Sequence, residues 1–306
     1  MQRRTKPLEN WTSRQVLYLL RRLARWTPAA AIRPLSAALG TVCYAALPHL
    51  QRVARANLRR AFPELAPEEI ERLVRRCFQH QALTLIEFLQ MADWDGAEIE
   101  RRVQEKGLAH LEAAFSVGRG VILISAHYGN WELAAARIVR AGYAVNVVAR
   151  DADDAETNAL LHGIRHAAGY QVIPRQNAAR GVLACLRRNE VVVILMDQNT
   201  TQGEVYVDFF GHPAATTPGP AVLARRTGAP LVPGFIRRLG DGTYIGELLE
   251  PLEWEATDDP ERDVQEITQR LTATIEAWIR EEPEQWLWVH NRWKHQGART
   301  ATTSSR

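Results

Sequence analysis

His127 and Glu132 stand five residues apart in the stretch Ser125-Ala126-His127-Tyr128-Gly129-Asn130-Trp131-Glu132. Imidazole ionises close to neutrality, so a histidine can take a proton from a hydroxyl and return it within one reaction. A carboxylate beside it fixes the tautomer and stabilises the imidazolium. At this spacing the two side chains do not stack on one helix face. They meet only if His127 sits on a turn and Glu132 in the first turn of a helix that follows. The flanking residues fit that requirement. Residues 120–126 (GVILISA) form a short apolar run of the kind buried on both faces of a sheet. Gly129 supplies the turn, Asn130 an N-cap, and a helix is expected from Trp131 to about Ala141. The result is a general-base arrangement at a strand's carboxyl end with no nucleophile beside it. A lone His-x-x-x-x-Glu also arises by chance; strand-turn-helix context gives this one its weight.

The elements around it alternate. Strands are expected at 121–126, 143–149, 170–173 and 190–196, with helices at 131–141, 153–168 and 178–188 between them. This is the βαβ rhythm of an α/β fold, a mixed, largely parallel sheet flanked by helices. Thr217-Pro218-Gly219 opens a helix that Gly228 ends, strands follow at 231–236 and 244–249, and a last helix spans about 260–281. Upstream, Pro67-Glu68-Glu69 opens a long helix to about Met91, in which Glu87 is expected to face solvent. Residues 96–118 read as a strand or loop followed by a helix. In open α/β sheets ligands bind beyond the carboxyl ends of the strands. Three strands here end in a reactive or charged group: His127, Arg150 and Asp197. An imidazole, a cation and an acid on one edge suit a polar substrate carrying a phosphate or a polarised carbonyl. Taken singly, Arg150 or Asp197 reads as half of a surface ion pair.

Other chemistries lack their residues. There is no Gly-x-Ser-x-Gly elbow, no phosphate-binding Gly-Lys-Thr loop and no His-Glu-x-x-His. Gly118-Arg119-Gly120 precedes its strand and is no dinucleotide fingerprint. Cys43, Cys77 and Cys185 are far apart and match no metal spacing, so no metal is expected and a reducing compartment is.

Charge divides the chain unevenly. Residues 1–60 hold twelve Lys/Arg, among them Arg3, Arg4 and Lys6, against the single acid Glu9. This arm is therefore +11 in a chain of formal net charge +3, which leaves −8 to the other 246 residues. Such an arm suits nucleic acid, anionic lipid or an acidic protein, and the interleaving of its residues favours lipid. From an N-cap at Ser13, an apolar face of Val16, Leu17, Leu19, Leu20, Leu23 and Ala24 opposes Arg14, Arg21, Arg22 and Arg25. That is a basic amphipathic helix of the membrane-surface kind, with no call for nucleic acid. A second apolar stretch, Leu35–Leu47, falls short of the ~20 residues of a span, and Arg33-Pro34 limits its extension backwards. Residues 14–50 are read as monotopic, a single span being the alternative. The expected organisation is a membrane-associating region at 1–60, an α/β domain at 61–296 and a disordered tail at 297–306. Trp286, Trp288 and Trp293 are expected to pack the C-terminal segment onto the sheet rather than to sit at a membrane interface.

Several stretches, in this order, resemble the bacterial lipid A biosynthesis (late, or secondary) acyltransferase family, within the wider lysophospholipid acyltransferase-like group. They are Asn57-Leu58 with Phe62-Pro63-Glu64, the run Ser125–Glu132, Met196-Asp197-Gln198-Asn199, Asp208-Phe209-Phe210-Gly211, Ala215–Gly219 and Pro283–Trp288. The resemblance covers roughly residues 14–295. It implies a glycerolphosphate-acyltransferase-like fold and transfer of an acyl chain from acyl carrier protein to a hydroxyl of a lipid A precursor. It places the enzyme on the cytoplasmic face of the cell inner membrane, without a cofactor and against an anionic lipid surface. His127 is then the base and Glu132 its partner, while Arg150, Arg175, Asp197 and Asn130 bind substrate. Asp151 follows Arg150 where many relatives carry proline. Acyl-CoA as donor, another acceptor (a lysophospholipid, glycolipid or aminolipid) and a non-catalytic lipid-binding scaffold are the alternatives.

Overall fold

The computed structural model describes residues 7–201 and 203–295. Arg3, Arg4 and Lys6 of the basic arm, and the expected tail 297–306, lie outside the described residues. Seven strands form one sheet in the order β1 (Val103–Lys106), β9 (Tyr244–Leu248), β8 (Leu231–Arg238), β2 (Val121–Ser125), β5 (Val191–Leu195), β3 (Val145–Ala149), β4 (Gln171–Pro174). Every pairing is parallel except β8–β9, so the largely parallel sheet read from the sequence is the one observed.

β2 is buried at all five positions. Ile122 and Ile124 join a core shared with α9 (Ala178–Arg187), α10 (Gly219–Thr227) and α11 (Pro260–Glu281). Val121 and Leu123 face Leu133 and Ala136 of α7 (Trp131–Arg140) and Ile164 of α8 (Ala155–Ala167). Both faces are covered, which is why the strand reads as a continuous apolar run rather than an alternating one.

The N-terminal part is a set of helices laid against the sheet domain: α1 (Pro7–Trp26), α2 (Ala29–Ala46), α3 (Pro48–Ala61) and α4 (Pro67–Met91). Three expectations change here. Helix α1 runs through Ser13, so Ser13 is not its N-cap. Its apolar residues divide between two sides. Leu17, Leu20 and Ala24 pack on the core, whereas Val16, Leu19, Leu23 and Trp26 point outward. Pro34 does not stop α2, which runs the full 18 residues; among the described residues it is the one helix long and apolar enough to cross a membrane. As the sixth residue of the helix, Pro34 forfeits one backbone hydrogen bond, to the Ala30 carbonyl, and the helix continues past it. α2 nevertheless lies along α4. A Cβ on Gly40 would fall 2.4 Å from Gln79 Cα, so the two backbones touch there and only glycine fits.

Residues 96–118 resolve into α5 (Gly96–Arg102), β1 and α6 (Leu108–Ser116). An additional hairpin, β6 (Val205–Phe209) and β7 (His212–Thr216), packs over α11. Trp286, Trp288 and Trp293 are buried in the core beside Phe209 and Phe210, which places them in packing and not at an exposed edge.

Candidate active site

β2 ends at Ser125 and the chain turns at His127–Asn130. Gly129 has φ +60, and a Cβ there would stand 1.8 Å from the Ile236 carbonyl oxygen of β8. The turn therefore requires glycine twice over, for its dihedral and for the contact. Asn130 caps α7: its Oδ1 accepts the Leu133 N–H at 3.1 Å, and its amide donates to Glu87 Oε2 at 3.1 Å.

β5 runs parallel to β2 with Leu195 beside Ser125. Two residues further along each strand, His127 meets Asp197. Asp197 Oδ1 accepts from the ring Nδ1 at 2.8 Å and Oδ2 from the His127 backbone N–H at 2.9 Å. The Trp286 indole N–H donates to the same Oδ2 at 2.7 Å. Burial opposes the charge on Asp197, but His127 and these hydrogen bonds outweigh it and bring the carboxyl down to about 2. An ionised Asp197 can only accept, so the imidazole proton sits on Nδ1 and Nε2 presents its lone pair. The Gln198 amide nitrogen is 3.3 Å from Nε2, and the Trp131 ring stands edge-on to the imidazole at 5.0 Å between centroids.

The carboxylate expected to back His127 is elsewhere. Glu132 accepts from Arg165 Nε at 3.0 Å and Nη2 at 2.6 Å, and from the Tyr170 hydroxyl at 2.6 Å. Asp197 takes the place that sequence proximity suggested for Glu132, because the parallel register brings residue 197 alongside residue 127. Asp197 and Asn130 were expected at the substrate. Both are buried, 3% and 1% exposed, and neither lines the cavity; one holds the imidazole and the other the turn.

Behind the turn lies a buried polar cluster on the inner face of α4. The Gly129 carbonyl accepts from Thr84 Oγ1 at 3.2 Å and lies 3.0 Å from His80 Nε2. Glu87, expected to face solvent, is 3% exposed. It receives both Nη groups of Arg238 at 2.7 Å and the Tyr244 hydroxyl. The residue is tolerated inside because every one of these partners donates to it.

His127 opens onto a cavity of about 630 Å³ above the carboxyl ends of β3 and β5. Val147, Val148, Val182, Leu183, Ile194 and Leu223 give it apolar walls, suited to a hydrocarbon chain. Arg150 and Arg175 line it as well, Arg150 exposed and paired with Asp153 at 2.6 Å, Arg175 within 3.4 Å of Thr200 Oγ1. Asp151 turns away from the cavity to Asn158 and His162 of α8. Glu132 and Arg165 form part of the same wall, as does Arg226 of α10. Spacing gave no sign of Arg165, Gln198, Trp286 or Arg226 as site residues. A smaller apolar cavity of about 40 Å³ lies beneath α7 and lacks His127. Among the described residues no cluster of His, Cys, Asp and Glu could hold a metal ion.

An imidazole held by a buried carboxylate beside an apolar cavity lined also by arginines suits transfer of an acyl group. The family described as bacterial lipid A biosynthesis acyltransferases matches residues 2–295. The chain belongs to that family. It is similar to the lipid A biosynthesis lauroyltransferase of Escherichia coli (strain K12), 27% identical over 286 residues, 93% of this chain and 90% of that one. The lipid A biosynthesis palmitoleoyltransferase of the same organism is 26% identical over 263 residues, 84% and 82% of the two chains. The phosphatidylinositol mannoside acyltransferase of Mycobacterium tuberculosis (strain CDC 1551 / Oshkosh) is 32% identical over 191 residues, 61% and 58%. The protein is thus an enzyme, a lipid O-acyltransferase, and the cavity at His127 is its candidate active site.

Proposed function

We propose that this acyltransferase moves a fatty acyl chain from acyl carrier protein to a hydroxyl of a lipid A precursor at the cytoplasmic face of the cell inner membrane. His127 is the general base. The observation that carries this reading is the His127 ring itself, held at Nδ1 by Asp197 and lining the cavity together with Gln198, whose amide stands 3.3 Å from Nε2 and would give way to the acceptor hydroxyl. Nε2 removes the acceptor's proton as the oxygen attacks the thioester carbonyl. The tetrahedral oxyanion is stabilised by the N–H groups that open α7, or by Arg150. It then collapses, the C–S bond breaks, and the imidazolium returns its proton to the departing thiolate. General-base assistance of this kind contributes about 10²–10⁴-fold. Among the described residues the cavity walls hold no cysteine or serine, which supports direct transfer over an acyl-enzyme. Glu132 acts through Arg165, fixing the cavity wall.

The outward apolar residues of α1 (Val16, Leu19, Leu23, Trp26) and of α2 (Leu35, Val42) support a monotopic seat in the interface. α2 packed along α4 is not free to stand across a bilayer by itself. A second acceptor class, a glycolipid mannose, is favoured by the likeness to the mannoside acyltransferase.

The test runs protein in detergent micelles with labelled acyl–acyl carrier protein or acyl-CoA. The acceptors are a tetra-acylated lipid A precursor bearing its Kdo sugars, lysophospholipids and a mannosylated glycolipid, each beside His127→Ala. Transfer to the lipid A precursor that the variant loses is the expected result. Transfer to another acceptor alone moves the pathway, and full activity in the variant removes His127 from the chemistry.

A further inference from the structure

α3 is the most one-sided element of the fold in charge. Its 14 residues contain Arg52, Arg55, Arg59, Arg60 and His49, and no acid. Arg55 is neutralised by Glu71 at 2.8 Å, and Arg60 lies over the Trp293 ring. His49, Arg52, Ala56 and Arg59, at helical spacing i, i+3, i+7, i+10, form an exposed stripe along the helix. Among the described residues neither Arg52 nor Arg59 has a carboxylate within ion-pair distance; Arg52 meets only the Pro48 carbonyl of its own helix. A shallow groove beside the stripe is lined by His49, Arg52, Asn57 and Asn291. Exposed Lys294 stands on the adjoining C-terminal segment.

This helix is tied to the catalytic edge by a short chain of hydrogen bonds. Asn57, on its inner face, donates to the carbonyls of Trp288 at 2.8 Å and His290 at 2.7 Å. The His290 ring accepts the Asn199 N–H at 3.2 Å. Asn199 adjoins Gln198, whose amide reaches the His127 ring.

We propose that the His49–Arg52–Arg59 stripe of α3 is the docking surface for an acidic acyl carrier protein, which delivers its thioester from there to His127. The proposal rests on the reading that a carrier protein is the donor. A water-soluble, acidic partner matches the two exposed guanidinium groups of Arg52 and Arg59, which lack a carboxylate partner among the described residues; complementary charge raises the encounter rate and fixes the orientation of docking. The membrane is the weaker match. A helix seated in lipid inserts apolar side chains, and those stand on α1 and α2, whereas the only apolar side chain among the four stripe positions is the methyl of Ala56.

The experiment compares full-length protein with an Arg52→Glu/Arg59→Glu variant in micelles, using one acceptor and two donors. One donor is acyl–acyl carrier protein; the other is the same chain on pantetheine, a neutral thioester that carries no protein. The expected result is a KM for the carrier donor raised about tenfold or more, with kcat and transfer from pantetheine unchanged. Wild-type kcat/KM for the carrier donor should also fall as salt rises to physiological strength, where the screening length is about 8 Å. Arg59→Gln alone, which keeps the helix and removes one charge, should lie between the two. Wild-type transfer from the carrier with an unchanged KM in both variants overturns the surface alone. Equal loss with both donors overturns it too, as does loss of binding to anionic vesicles that accounts for the defect. Wild-type protein that uses pantetheine but not the carrier overturns the donor reading, and the surface with it.

Discussion

Asp197 grips His127 at two points, the ring through Oδ1 and the backbone N–H through Oδ2, so one carboxylate sets both the tautomer and the position of the imidazole. Asn at this position keeps the shape but offers a single acceptor oxygen. Three donors, the ring Nδ1, the His127 N–H and the Trp286 indole, would then compete for it. Asp197→Asn should lower kcat by about 10²–10⁴-fold with little change in fold. Initial rates at saturating donor, beside circular dichroism, check this; an unchanged kcat removes Asp197 from the mechanism.

Glu132 and Arg165 neutralise one another in the cavity wall, each side chain only 12–13% exposed. Removing one partner leaves the other charge stranded. Glu132→Gln should cost about 3 kcal/mol in denaturant unfolding. Adding Arg165→Met should recover part of that, with a coupling of about 0.5–3 kcal/mol. If the double variant also recovers activity, Glu132 acts through the wall. Activity that stays lost while stability returns would give Glu132 a direct part in the reaction.

Glu87 is the acceptor on which the cluster behind the catalytic turn converges. Glu87→Ala leaves Arg238 buried without its counter-charge and frees the Asn130 amide. A loss of about 3–5 kcal/mol is expected, with a smaller loss for Glu87→Gln. Two matching unfolding curves, wild type and Glu87→Ala, would show that the cluster carries no such energy.

His80 gives the fold a pH dependence. Burial first, and the Arg238 charge second, push it down to about 3, against about 6.5 in an unfolded chain. Its pKa is depressed on folding, so the unfolded chain takes the proton first. The stability tied to neutral His80 is complete above about pH 6.5 and drains away as pH falls toward 3. Between pH 6.5 and 4.5 the expected loss is about 2 kcal/mol. Melting temperatures over that range should therefore fall more steeply for wild type than for His80→Gln. Parallel slopes would contradict it.

The sheet was legible because its central strands are covered on both faces, and runs such as Val121–Ile124 and Val191–Ile194 have no other reading. The β6–β7 hairpin was not. Val205, Tyr206, Val207 and Phe209 of β6 carry a strand signature, but Pro213, Ala214 and Ala215 of its partner β7 do not, and the pair packs on α11 far along the chain. In the site, the type and position of His127 could be read locally. Its partner could not, since nearness in sequence favours Glu132 and the parallel register of β2 and β5 favours Asp197. Glu87 was misjudged for a related reason. A glutamate in a helix looks solvated until the paired strands β8 and β9, which carry Arg238 and Tyr244, are placed against it.

The segment 285–287 has a bearing on when the His127 turn acquires its full setting. The Gln285 carbonyl receives the Gly129 N–H, Trp286 donates to Asp197, and the Leu287 N–H closes on the His127 carbonyl. Three of the bonds that hold the His127 turn and its carboxylate thus come from residues translated about 160 positions after His127. A chain still on the ribosome, its sheet already assembled through β9, has an imidazole without its full setting. The turn at His127, its carbonyl and the Asp197 carboxylate therefore gain their last partners only when segment 285–287 packs against the sheet.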